Sequence, residues 1–258
     1  MQRLLHTIRL KIRLVKGDCL KLFSTIPSHS IDLVICDLPY GRTRNSWDTI
    51  IPFDALWGSY NRVIKENRAI LLFADGMFMA DLMQSNRKMW RYNIVWDKVL
   101  ASGFLNAKRM PLRSTEEIVV FYKKQPTYNP QFFQGKPLHG TGTKLEEKAP
   151  VNNNYGNFKR YAQKGGDTKK YPKSLVTYSR SSSAKMQHPT QKPVDLLEYL
   201  IKTYSNPRDT VLDNCMGVGS TGVACVNTSR NFIGFEIDDK YFDLATQNIK
   251  CARAKLEI

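Results

Sequence analysis

The chain is poor in the residues from which metal centres and covalent thiol sites are built. It has four histidines and five cysteines in 258 residues. Cys19, Cys36, Cys215, Cys225 and Cys251 are odd in number and form no Cys-x-x-Cys pair, so neither a zinc site nor a disulfide framework is indicated. Reduced thiols in a cytoplasmic setting are expected instead. His6, His29, His139 and His188 make no metal or nucleophile constellation. No uninterrupted run of about 18 apolar residues occurs, which excludes an expected membrane span. The first sixteen residues lack the apolar core and small-residue cleavage site of a secretory signal. Acids are also scarce, 23 against 39 Lys and Arg, for a formal charge of +16.

That charge is concentrated. Residues 123–185 hold thirteen basic and three acidic residues, whereas residues 186–258 hold eight and nine. A generally basic surface would be more even. A local excess points to a polyanion, whose counterions are released on binding.

Ile8, Leu10, Ile12 and Leu14 alternate with Arg9, Lys11 and Arg13, the period of a half-buried strand with a basic outer face. Short apolar runs at 31–36, 69–74, 92–96 and 117–122 read as buried strands, with helical segments at 54–66 and 76–89. Strands alternating with helices predict an α/β fold, a Rossmann-like, doubly wound, mostly parallel sheet. From 125 to 185 the texture becomes rich in Lys, Asn, Gly, Ser and Pro, yet Tyr128, Phe132, Phe133, Tyr155, Phe158, Tyr161 and Tyr171 punctuate it. We read an inserted loop-rich basic lobe, because disordered linkers have few aromatics. Periodicity returns after Pro193, where Leu196, Leu197, Leu200, Ile201 and Tyr204 share a helical face. The expected organisation is a first part of the α/β domain over 1–122, an insertion over 123–185 and a second part over 186–258.

Thr210-Val211-Leu212-Asp213 runs into Asn214-Cys215-Met216-Gly217-Val218-Gly219-Ser220-Thr221-Gly222. A strand ending in a carboxylate, a glycine turn and then a helix form a cradle for a nucleotide-like cofactor, since glycine lets the backbone approach the ligand. Glu236 lies twenty-three residues beyond Asp213, at the end of the next strand, where it can accept bonds from ribose hydroxyls. Gly217-x-Gly219-x-x-Gly222 also satisfies the dinucleotide fingerprint, so an NAD-linked oxidoreductase is an alternative. Against it, 22 residues follow Glu236, few for the rest of a dinucleotide fold unless the chain is permuted.

Asp37-Leu38-Pro39-Tyr40 follows another buried strand. The Asp37 carboxylate can accept from an amino group, and Leu38, preceding proline, is held extended so that its carbonyl is a directed second acceptor. Tyr40 offers a stacking face. Two acceptors and a ring suit an extruded base whose exocyclic nitrogen must be polarised and aimed. By itself the segment reads equally well as a strand-ending Asp-x-Pro turn.

Taken together these segments resemble the DNA amino-methyltransferases, which modify adenine N6 or cytosine N4. Asp37-Leu38-Pro39-Tyr40 is similar to the family's Asp-Pro-Pro-Tyr motif, and Asp213 to Gly222 to its cofactor loop. Gly17-Asp18-Cys19-Leu20 resembles the segment beside the cofactor's adenine, and His188-Pro189-Thr190-Gln191-Lys192-Pro193 the segment at its methionine end. The catalytic motif comes first and the cofactor loop last, the circularly permuted order of the family's β group.

The resemblance implies a fold of that kind, S-adenosylmethionine as cofactor and double-stranded DNA as partner, with the basic lobe as target-recognition region. It places Asp37, Leu38, Pro39 and Tyr40 at the target base. It places Asp18, Cys19, Lys192, Asp213, Cys215, Gly217, Gly219, Ser220, Thr221 and Glu236 at the cofactor, with no metal. Leu38 stands where the family has proline, so the second acceptor rests on a backbone carbonyl. Asp rather than Ser at position 37 points to adenine, with cytosine N4 as the alternative. A homodimer and a cognate restriction endonuclease both remain open, as does a DNA-binding protein without activity. Arg42, Arg44 and Trp47 on the following loop, and Lys108, Arg109 and Arg113 around Pro111, are further candidates for DNA contact or for plain solvated charge.

Overall fold

The computed structural model describes residues 10–42, 48–137, 166–180 and 191–255. The readings placed on His6, Ile8, Arg44, Trp47, His139, Tyr155, Phe158, Tyr161 and His188-Pro189-Thr190 lie outside the described residues. Two compact units are present, one formed by Met1–Asn129 with Ser174–Ile258 and the other by Pro130–Lys173.

The first unit is built on an eight-stranded sheet. Its parallel part runs β1 (Ile12–Lys16), β10 (Asn231–Glu236), β9 (Thr210–Asp213), β2 (Ile31–Asp37) and β3 (Ile64–Ala74). Beyond β3 come β5 (Arg113–Phe121) and β4 (Trp90–Ser102), each antiparallel to its inner neighbour, and then β8 (Leu175–Thr177), parallel to β4. The mostly parallel α/β architecture read from the alternating apolar runs is what the chain forms.

Burial on both faces explains why β2 reads as an unbroken apolar run rather than an alternating one. Leu33 and Ile35 enter one layer, with α4 (Val194–Tyr204), α5 (Ser220–Asn227) and α6 (Asp239–Ala254). Val34 and Cys36 enter the other, with α1 (Cys19–Leu22), α2 (Phe53–Val63) and α3 (Gly76–Ser85). The helical face expected after Pro193 is buried along its length, and Pro193 is the N-cap residue of α4.

Element ends differ from expectation for local reasons. The helix expected to reach residue 66 stops at Val63, because Ile64 is taken into the sheet opposite Ile31. The polar stretch after it is ordered by Asp32, which is 3% exposed and pairs with Lys65 at 2.7 Å and Arg68 at 3.0 Å. Asp32 also accepts from the Thr210 N–H at 2.9 Å, tying β3 to β9 across β2. In the second unit, β6 (Phe133–Gln134) pairs antiparallel with β7 (Lys169–Lys170), and Phe132 packs on Tyr171 at 4.8 Å between ring centroids.

The glycine loop has a packing role beside any ligand role. Gly219 caps α5 in the left-handed region, φ 79°, and a Cβ there would lie 2.9 Å from Ala245 Cβ. At Gly222 a Cβ would meet Ile249 Cγ1 and Phe232 Cε1, each at 2.8 Å. The third glycine of the fingerprint thus lets α5 sit close against α6 and β10. Gly222→Ala is expected to destabilise the fold by about 1–3 kcal/mol despite alanine's better helix propensity, because the core is overpacked. Urea unfolding of the variant beside the unaltered chain measures this.

Candidate active site

Where the strand order turns back, an open α/β sheet has a crevice at the carboxyl ends of its strands. Here that point lies between β9 and β2, because the chain proceeds outward from β9 to β10 and from β2 to β3. Asp213 ends β9 and Asp37 ends β2, so two carboxylates flank the crevice. A cavity of about 640 Å³ opens there, within the usual range for a small-molecule site.

Asp37, Leu38, Pro39 and Tyr40 line this cavity, as do Asp18, Cys19, Lys192, Asp213, Cys215, Gly217, Ser220, Thr221 and Glu236. The structure therefore brings the two distant motifs to one space. Gly219 is not on the wall; it turns the chain into α5 behind it.

On the β2 side the segment is fixed from both ends. Leu38 is 4% exposed, with its side chain in the core beside Cys36, so packing supplies the rigidity that a ring would otherwise give. Asp48 pins the turn after Tyr40 by accepting from the N–H groups of Gly41 and Arg42, at 2.8 and 2.9 Å. One face of Tyr40 stacks on Phe78 at 4.6 Å and 25°. Its hydroxyl donates to Asp37 Oδ1 at 2.9 Å and contacts Glu116 Oε1 at 3.3 Å.

Lys192 is the centre of this corner. Its Nζ lies 2.8 Å from both Asp37 Oδ2 and Glu116 Oε1, and 5.0 Å from the centre of the Phe73 ring. Lys192, which the resemblance places at the cofactor, bonds the Asp37 carboxylate with its ammonium on the wall of the same cavity. Burial pushes the Asp37 carboxyl up, with Lys192 acting against it. Burial also opposes ionisation of Glu116, but Lys192 together with Lys98 and Tyr40 outweighs it and holds that carboxyl below its ordinary range. For Lys192, burial is likewise outweighed, here by the two carboxylates, and its pKa is raised.

Glu116 was not found from sequence. Its signal was present: an acid beside an apolar strand run, as at Asp37, Asp213 and Glu236. It precedes its run instead of following it, and β5 is antiparallel. Glu117 pairs with Ala74, the last residue of β3, so the start of β5 lies at the carboxyl edge of the parallel strands.

The β9 side is a wall of acceptors and backbone donors. Asp213, 3% exposed, accepts from Thr221 Oγ1 at 2.6 Å and from the Cys215 N–H at 3.1 Å. Burial nonetheless pushes its carboxyl up to about 6. Glu236 accepts from the N–H groups of Gly217, Ile237 and Asp238 at 2.8–2.9 Å. These use three of a carboxylate's roughly four acceptor sites, leaving about one for a ligand hydroxyl. Asp18 caps α1 by accepting from the Leu20 N–H at 2.9 Å. Ser220 Oγ is buried on the cavity wall without a hydrogen-bond partner, the condition of a group whose partner is a ligand.

Two stability tests follow. Lys192→Met leaves Asp37 and Glu116 facing each other without a cation; a loss of about 3–5 kcal/mol in urea unfolding is expected. For Asp213, the folded-state value of about 6 against an ordinary 3.8 means that the folded form holds its proton more tightly. Its contribution to stability is therefore present below about pH 4 and lost as pH rises through about 6. Asp213→Asn should flatten that part of a stability profile measured from pH 4 to 7.

The family model described as DNA methylase, covering N6 and N4 methylases, matches residues 31–247. The type II methyltransferase M.HinfI of Haemophilus influenzae is 27% identical over 92% of this chain and 68% of its own length. The DNA adenine methyltransferase YhdJ of Escherichia coli K12 is 25% identical over 93% and 83%. Among solved structures, the M1.HpyAVI–SAM complex superposes with a TM-score of 0.63 at 24% identity, covering 92% of this chain and 98% of that one. The cytosine-N4-specific PvuII DNA methyltransferase superposes with 0.64 at 15%, covering 94% and 91%. With a match across most of its length and both motifs facing one cavity, the chain belongs to the N6/N4 family of DNA methylases.

Proposed function

We propose that the protein transfers a methyl group from S-adenosylmethionine to the N6 amino group of adenine extruded from duplex DNA. The observation that carries this reading is the meeting of Asp37-Leu38-Pro39-Tyr40 and the Asp213–Glu236 wall in one cavity. The donor set fits the cofactor: an orphaned Ser220 hydroxyl, a free acceptor site on Glu236, and backbone at Gly217 that no side chain obstructs. Asp18, Cys19, Asp213, Cys215, Gly217, Ser220, Thr221 and Glu236 would hold it. When bound, it supplies an electrophilic methyl group on a sulfonium.

The chain's own residues then prepare the acceptor nitrogen. An exocyclic amino group is a poor nucleophile because its lone pair is delocalised into the ring. Asp37 and the Leu38 carbonyl accept hydrogen bonds from its two N–H groups, which returns electron density to nitrogen and aims it; the methylated nitrogen then releases one proton, for which Asp37 is the adjacent acceptor. Tyr40 stacks on the base with the face that Phe78 leaves free. Lys192 keeps Asp37 fixed and favours its ionised, accepting form. With both carboxylates ionised, Asp37, Glu116 and Lys192 carry one net negative charge, complementary to a cationic methyl donor. The basic segment 123–185 supplies phosphate contacts and, with the unit at Pro130–Lys173, target recognition.

Asp37 in the first motif position, together with the similarity to the adenine enzyme YhdJ, favours adenine. Cytosine N4 is the second reading, favoured by the fold shared with the PvuII enzyme. Incubation with methyl-labelled cofactor and, in parallel, mixed-sequence duplex DNA or RNA, followed by digestion to nucleosides, should give label in N6-methyl-2′-deoxyadenosine from the DNA. Label in deoxycytidine transfers the assignment to the second reading, and label confined to the RNA removes the substrate class. Asp37→Ala should lower turnover by at least about a hundredfold while leaving binding of labelled cofactor within about twofold, as expected for a group that acts on the transition state. Unchanged turnover in that variant would remove the mechanism.

A further inference from the structure

The hairpin joining β4 to β5 ends in a turn with an unusual surface. Phe104 is 82% exposed and Leu105 is 98% exposed, with Met110 and Leu112 exposed behind them. Apolar side chains left so far out of the fold mark a contact surface when they cluster. This turn is ordered by its own backbone. Gly103 adopts φ 92°, and the short 3-10 turn Phe104–Asn106 follows. The Asn106 N–H donates to Gly103 O at 2.9 Å, Ala107 N–H to Phe104 O at 3.0 Å, and Arg109 N–H to Asn106 O at 2.8 Å. Phe104 and Leu105 are therefore presented on a preformed tip.

Two further observations identify what the tip meets. The stem of the same hairpin forms part of the cavity wall through Lys98, Ser102 and Arg113. Arg113 is held there by Asp75 at 3.3 Å, and Ser102 Oγ donates to the Arg113 carbonyl at 3.3 Å. The tip thus rises from the rim of the space that receives the base. The segment 98–113 contains no acid; of its four cations Lys98 is buried and Arg113 is paired with Asp75, while Lys108 and Arg109 are exposed on the turn itself. A second copy of this basic chain would bring like charges against one another. Duplex DNA offers the opposite on both counts: phosphates for the cations, and an apolar stack of bases for the rings.

We propose that Phe104 and Leu105 form the wedge that enters the duplex when the target base leaves it. The proposal rests on the base-extrusion reading given above. Extrusion unpairs and unstacks one nucleotide and leaves a gap in the helix. An apolar side chain filling that gap replaces the lost stacking and slows return of the base, as apolar wedges do in other proteins that unstack DNA. Lys108 and Arg109 hold the flanking phosphates while the hairpin stem keeps the gap beside the cavity.

The experiment compares the unaltered protein, the pair Phe104→Ala with Leu105→Ala, and the bulk-preserving pair Phe104→Leu with Leu105→Met. Each is assayed for methyl transfer to unmethylated mixed-sequence duplex, binding of labelled S-adenosylmethionine, retention of duplex in gels, and sedimentation. The alanine pair should lose roughly tenfold or more in methyl transfer, with cofactor and duplex binding within about twofold, and the bulk-preserving pair should recover most of the rate. An alanine pair that methylates as fast as the unaltered chain overturns the wedge alone. So does a bulk-preserving pair that fails equally, or an unaltered dimer that the alanine pair converts to monomer, which would assign the tip to a second copy. An unaltered protein that labels no DNA overturns the methyl-transfer reading, and the wedge with it.

Discussion

One ammonium group joins the parts of this molecule on which its chemistry depends. Lys192 Nζ bonds Asp37, 155 positions earlier, and Glu116 on the antiparallel strand β5. Without it, burial would push both carboxylates toward the protonated form, and a protonated Asp37 would be a poor acceptor. The pairing also explains why two carboxylates can be buried side by side. They are tolerated because a cation lies between them and the Tyr40 hydroxyl donates to Asp37 Oδ1, the oxygen that Lys192 does not bond. The geometry of the acceptor segment, the charge of the corner and the closure of the cavity wall therefore share one contact.

Around that contact the strand ends differ. β2 ends at Asp37, proposed above to act on the base, and β9 and β10 end at Asp213 and Glu236, proposed above to hold the cofactor. Each acid is held by different means. Asp37 is held by a cation and a phenol, Asp213 by a hydroxyl and one N–H, and Glu236 by three N–H groups. The difference suits the proposed roles: an Asp37 that acts on the base has to remain a strong acceptor, whereas three backbone donors leave Glu236 with about one acceptor site.

Much of this was legible in the sequence. Strand-ending acids beside glycine turns identified both walls, because the period of burial and the chemistry of the strand end are local properties. The packing that stiffens Leu38 was not readable, because its partners come from distant segments. What escaped was non-local. Glu116 begins a strand whose direction is reversed, and direction is a property of sheet pairing that no short segment encodes. The bonds of Lys192 to Asp37 and Glu116 escaped as well, since a motif does not say which carboxylates a long side chain reaches. The dinucleotide alternative rested on the glycine spacing, which here also serves close packing of α5; the family match over 31–247 excludes it.

The order of strands in the sheet has a consequence for how the molecule comes into being. β10 and β9 lie between β1 and β2, so β1 and β2 belong to one sheet only through two strands that come much later in the chain. During synthesis, β2 can pair with β3 while its other edge stays open, awaiting β9. The cofactor wall comes from those same late segments, and Lys192 precedes them only shortly. Asp37 and Glu116 are therefore made before the cation that bonds them both, Lys192 following Glu116 by 76 positions. Closing the sheet and joining the two cavity walls are thus the same step, because the edge of β2 that receives β9 is the edge at which Asp37 and Asp213 meet.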